Sequence, residues 1–122
     1  MKASKSFEPD PGQVTEARRF VECCLEATGL RSADIALLVS ELATNAVLHA
    51  RSDFTVSIEI QAQRAHVEVF DRNTRLPTFS AVRADAHSGR GLMLLQALSE
   101  AWGVQSHSDS GKTIWFDLSV KP

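Results

Sequence analysis

The sequence has no tyrosine and only two cysteines, and those two are neighbours, Cys23 and Cys24. Adjacent cysteines cannot tie distant parts of a chain together, so a disulfide framework is excluded. Their thiols also leave a helix in different directions, which argues against a thiolate metal site. Reduced cysteines suit the cytoplasm, the compartment expected here. Positive charge is scarce as well: 13 Lys plus Arg against 15 Asp plus Glu leave a net charge of -2. A broad phosphate footprint is therefore missing, and direct nucleic-acid binding is not expected. No uninterrupted apolar run reaches the roughly 18 residues of a membrane span. The opening MKASKSFEPDPG has no apolar stretch of the secretory kind, so neither membrane insertion nor export is expected. There is no GxxxxGK[ST] phosphate loop and no internal repeat.

What is present is ordinary globular material, 43% hydrophobic and 23% charged. A chain of 122 residues has room for one core. Residues 1–12, polar and carrying Pro9 and Pro11, read as an arm or leading edge strand. Residues 13–120 read as a single domain. Val14, Ala17, Val21, Cys24 and Leu25 fall at helical spacing, and Gly29 suits the residue just past a helix end. Ser32 can cap a second helix with Asp34 in its first turn, and Ile35, Leu38, Leu42 and Ala46 make its apolar stripe. Phe54, Val56, Ile58 and Ile60 alternate with polar residues, as do Ala65, Val67 and Val69. The short connector between these strands predicts an antiparallel hairpin. Residues 72–88 show no period and are expected to be a mobile loop. SGRGLMLLQALSEAW returns to helical spacing, with Gly103 as its expected stop. Two more strands are expected from Val104 to His107 and from Thr113 to Val120. Runs of helices and runs of strands predict an α+β fold. Its form is a two-layer sandwich, with helices on one face of a mixed, largely antiparallel sheet.

Four short segments carry chemical potential. Glu41 and Asn45 are four apart on the second helix, so a carboxylate and a carboxamide share one face, with His49 continuing the line. Such a pair suits a carboxylate base beside an oxygen ligand for Mg²⁺, or else simply a wet helix face. Asp71 shares strand parity with Ala65, Val67 and Val69, so its carboxylate points to the apolar side of the sheet. A buried carboxylate needs donors. The amine of a nucleotide base is one candidate and a backbone turn another. Ser88-Gly89-Arg90-Gly91-Leu92 opens a helix. There glycines permit close approach, free N–H groups attract phosphate, and Arg90 adds a cation. Gly111 reads as a turn glycine, followed by Thr113, a hydroxyl partner for a base.

In this order the four segments resemble the GHKL ATPase superfamily of gyrase, histidine kinases and MutL. More narrowly they look like the anti-sigma-factor serine kinase branch and the small actinobacterial ATP-binding regulators related to it. SELATNAVLHA resembles the family's N box, VEVFD with Pro77 its first glycine box, SGRGL its second and GKTIWF its last. The resemblance spans residues 14–118 and implies the histidine-kinase-like ATPase fold, making residues 13–120 an ATP-binding domain. It implies ATP and Mg²⁺ as cofactors. Glu41 would be the general base and Asn45 the Mg²⁺ ligand. Asp71 would accept from the adenine amine with Thr113 nearby, and Gly89, Arg90, Gly91 and Leu92 would cradle the phosphates. The implied function is phosphorylation of a serine on an anti-anti-sigma (STAS-domain) partner, controlling a sigma factor by partner switching; a homodimer is possible among relatives. Asp71-Arg-Asn-Thr-Arg departs from the family's usual D-x-G-x-G, which lowers the expected nucleotide affinity. The alternative is a non-catalytic module that regulates by sequestering a partner, with or without nucleotide. Histidine autokinase activity is not expected, because it needs a separate phosphoacceptor helix domain.

Overall fold

The computed structural model describes residues 1–74 and 87–122. Its elements, in chain order, are β1 (Lys2–Phe7), α1 (Gly12–Ala27), α2 (Ala33–Asn45), β2 (Phe54–Gln61), β3 (Arg64–Asp71), α3 (His87–Leu98), β4 (Ala101–Ser106) and β5 (Lys112–Ser119). A π-helical turn, Ala46–Ala50, prolongs α2. The strands form one sheet in the order β1-β2-β3-β5-β4. The fold is the expected α+β sandwich. Among the described residues the sheet is antiparallel throughout rather than mixed, because β3 pairs with β5 and not with β4. The expected loop at residues 72–88 lies mostly outside the described residues; positions 87 and 88 already belong to α3.

The alternation read from the sequence decides which face is buried. Phe54, Val56, Ile58 and Ile60 of β2, with Ala65, Val67 and Val69 of β3, face the helices and are almost fully buried. Ile114, Phe116 and Leu118 of β5 continue that apolar surface. Against it lie Ala17, Val21 and Leu25 of α1, Ile35, Leu38, Val39 and Leu42 of α2, and Leu92 and Leu95 of α3. The Ser32 hydroxyl accepts from the Ile35 N–H at 3.1 Å and fixes the start of α2. Gly29, at φ +75°, takes the left-handed turn that ends α1. The 1–12 segment contributes β1, which pairs with β2, and Phe7 stacks on Phe54 with ring centroids 5.3 Å apart. Residues Ala33–Ala50 are long and apolar enough to cross a membrane by length and composition. Ile35, Leu38, Val39, Leu42, Ala43 and Ala46 of that stretch are core residues packed under the sheet, while Leu37 and Leu48 are exposed.

Sequence spacing places the end of α3 too late. The helix stops at Leu98, where Ser99 turns its hydroxyl back to the Leu95 carbonyl and the Glu100 N–H donates to Asp117 O at 2.9 Å. Ala101, Trp102 and Gly103 are already β4, paired with Asp117, Phe116 and Trp115. Gly103 is therefore no helix stop. A Cβ there would lie 2.6 Å from Trp115 Nε1, because the indole lies across the glycine on the sheet face away from the helices. Gly103→Ala is expected to destabilise the fold by about 1–3 kcal/mol through overpacking, measured by urea unfolding. A change below about 0.5 kcal/mol would mean that the indole swings aside freely.

Candidate functional site

The segments singled out in the sequence meet on the helix side of the sheet, where α2 packs on α3 and against β3. Glu41 does not sit on a wet helix face. It points from α2 towards α3, and its side chain is 11% exposed. Burial follows from its surroundings, since Leu38, Leu42 and Ala43 on the same helix are fully packed. Glu41 Oε1 lies 3.3 Å from Arg90 Nε. Its other oxygen, Oε2, is buried without a hydrogen-bond partner among the described residues, and so is Asn45 Oδ1. Two unmatched buried oxygens one helical turn apart are costly, at about 1–3 kcal/mol each. They are also what a hard cation requires. The residues present thus fit Mg²⁺ at this point. No group of three or more His, Cys, Asp or Glu gathers here or elsewhere among the described residues, so the rest of a cation's shell would have to come from ligand and water.

His49 does not continue the line of Glu41 and Asn45. From Ala46 the helix widens to π geometry, which rotates His49 out to solvent. The segment closes at Arg51, in left-handed conformation at φ 53°.

Helix α3 begins at His87, so Gly89, Arg90 and Gly91 lie in its opening turns. Gly91 has no side chain for a packing reason: a Cβ would come within 3.0 Å of Asn45 Nδ2 and 3.8 Å of Leu42 Cδ2. That glycine lets α3 approach the face of α2 carrying the unmatched oxygens. Leu92 is buried in the core and holds the helix down. Arg90 keeps 56% of its side chain exposed, so its guanidinium can reach beyond Glu41.

Asp71 is buried, as strand parity predicts. Its donors come from the protein itself. Lys112 Nζ lies 2.8 Å from Oδ1 and 2.9 Å from Oδ2, and the Asn73 N–H donates to Oδ1 at 2.9 Å. The Lys112 side chain is 8% exposed and that of Asp71 6%. Lys112 was not among the site residues expected from the sequence. The signal for it was register: β3 pairs with β5 so that Asp71 and Lys112 stand directly opposite.

The same register separates Thr113 from Asp71. Thr113 stands opposite Phe70 on the other face of the sheet, and its hydroxyl lies 2.7 Å from His107 Nε2. The structure therefore brings together Glu41, Asn45, Arg90 and Gly91, sets Asp71 with Lys112 on the same face, and leaves Thr113 outside. Gly111 is strained for any other residue, at φ +132° with a built Cβ only 2.1 Å from the Asp71 carbonyl oxygen.

A surface depression of about 460 Å³ lies elsewhere. Glu59, Arg64, His66 and Asp117 line it on the sheet face away from the helices. There His66 sits between Asp117 and Glu68, at 2.5 and 2.8 Å. Partial burial works against its charged form, but hydrogen bonds to the two carboxylates prevail and raise its pKa. None of the residues around Glu41 reaches that side.

A family model described as a histidine kinase-like ATPase domain matches residues 7–118. The structure is similar to that of the histidine kinase domain from the blue-light activated histidine kinase EL346 of Erythrobacter litoralis. That match has 26% identity and a TM-score of 0.50, and covers 70% of this chain and 43% of the other. A second structure, titled as that blue-light activated histidine kinase, gives 21% identity and a TM-score of 0.51, with 88% and 40% covered. The chain thus spans about two-fifths of these proteins. No curated protein matches it significantly.

Proposed function

This chain belongs to the histidine kinase-like ATPase domain family, and from that premise we propose that it binds Mg²⁺ and ATP between α2 and α3 and transfers the terminal phosphoryl group to a serine of a partner protein. In this reading it is a cytoplasmic anti-sigma-type regulator. The partner is an anti-anti-sigma protein of the STAS class, and phosphorylation decides whether a sigma factor is held or released. The observation that carries the nucleotide reading is the pair of buried, unmatched oxygens, Glu41 Oε2 and Asn45 Oδ1.

The residues divide the work. Asn45 Oδ1 would hold the cation, with the rest of its shell made by phosphates and water. When bound, Mg²⁺ supplies charge neutralisation on the phosphate oxygens. Arg90, exposed at the head of α3, would exchange its contact with Glu41 for phosphate. Glu41 would then be free to accept the proton of the incoming serine hydroxyl. Gly91 keeps α3 close enough to α2 for these groups to act together.

Incubation with γ-labelled Mg·ATP and candidate STAS proteins tests the proposal. Label should appear on a serine of one of them. If nucleotide binds and no partner is labelled, the chain acts by sequestration instead. That second reading has its own support in Lys112, which already occupies the carboxylate meant for the base.

A further inference from the structure

The two ends of the proposed site differ. At the cation end, buried oxygens lack partners. At the base end, the buried carboxylate has partners already. A carboxylate offers about four acceptor positions. On Asp71 Lys112 Nζ contacts both oxygens, and the Asn73 N–H takes a further position. Three positions are thus taken, on a side chain only 6% exposed. An exocyclic base amine is a neutral donor, and to reach Asp71 it would have to share or displace an ammonium in a buried, charge-assisted contact, which is uphill. Lys112 cannot easily withdraw, because β5 holds it directly opposite Asp71. It also keeps only 8% of its side chain exposed. The chain just past Asp71 adds bulk of its own, since Arg72, Asn73 and Thr74 all carry side chains.

We infer that Lys112 is a built-in occupant of the base-reading carboxylate, so that this site holds a nucleoside triphosphate by its phosphates and does not discriminate among bases. The inference rests on the nucleotide reading above and adds a specificity rule to it. Free energy of binding then resides at Asn45, Arg90 and the head of α3. Any ligand offering a magnesium triphosphate fits, whatever base it carries. A ligand offering a base alone finds no donor-hungry group.

The test is titration calorimetry on the wild-type chain with Mg²⁺ and, in turn, ATP, GTP, inorganic tripolyphosphate and adenosine. ATP, GTP and tripolyphosphate should bind within about threefold of one another, and adenosine should not bind. Arg90→Ala should weaken all three by a similar factor of about ten. Lys112→Met removes the ammonium, keeps much of its volume and should turn the site towards ATP over GTP by about tenfold or more. Should that variant not fold, the wild-type comparison still decides. Wild-type ATP affinity exceeding that of GTP and tripolyphosphate by tenfold or more, or measurable adenosine binding, would overturn the inference while leaving the nucleotide reading intact. Absence of binding by all four ligands would overturn both.

Discussion

Lys112→Ala is expected to destabilise the protein by about 3–5 kcal/mol, a large share of a small domain's stability. The substitution removes a buried aliphatic stem as well as the ammonium. Most of its effect comes from leaving the Asp71 carboxylate without its ammonium in a place where its side chain is 6% exposed and, among the described residues, only the Asn73 N–H remains to serve it. Asp71→Asn should be damaging for the mirror reason, since it strands a buried ammonium. The double variant Asp71→Asn, Lys112→Met removes both charges and should recover much of the loss, because a buried pair contributes little net stability over neutral groups of similar size. Urea unfolding of wild type, Lys112→Met, Asp71→Asn and the double variant gives the coupling energy directly. Single variants within about 1 kcal/mol of wild type would mean that water reaches the pair, and the closed base end would fall with it. This also changes how an Asp71 variant can be used: its effect on nucleotide binding is interpretable only after its folding has been measured.

The features legible in the sequence were those set by local period. The apolar stripe of α2, the cap at Ser32 and the alternation of β2 and β3 all depend on residues a few positions apart, and the fold follows from burying those faces on one another. The burial of Asp71 was readable for the same reason. What it is buried with was not, because Lys112 lies 41 positions away and meets it only through the β3–β5 register. A shift of one residue in that register would have put Thr113 there instead. The unread end of α3 has a similar origin. Ala101 and Trp102 tolerate a helix, and the pull into β4 comes from their partners Asp117 and Phe116 on β5. Gly103 looked like punctuation, whereas its missing side chain makes room for Trp115. His49 was misplaced because helical arithmetic assumes 3.6 residues per turn, and the π turn at Ala46–Ala50 breaks that count. Across the site, sequence spacing finds groups on one element, while their state depends on what a distant element brings opposite them.

Glu41 shows what that difference means for a catalytic assignment. A carboxylate on a wet face could be removed without consequence for folding, but this one is buried, with one oxygen near Arg90 and the other unmatched. Glu41→Gln keeps the shape and removes a charge that the fold does not fully satisfy. Stability should therefore hold, or rise by a few tenths of a kcal/mol, in urea unfolding. Binding of Mg·ATP should stay within a few-fold of wild type, because Asn45, Arg90 and the head of α3 are untouched and a base acts in the transition state. Phosphorylation of the partner serine should fall by a factor of about 10²–10⁴, since glutamine cannot accept the hydroxyl proton. The three measurements separate the possible roles of the side chain. A matched loss of binding and transfer would make Glu41 a metal or phosphate group rather than a base. A loss of stability larger than about 2 kcal/mol would make it a structural partner of Arg90. Transfer at the wild-type rate would remove it from the chemistry and leave the serine proton to be taken by the phosphate itself.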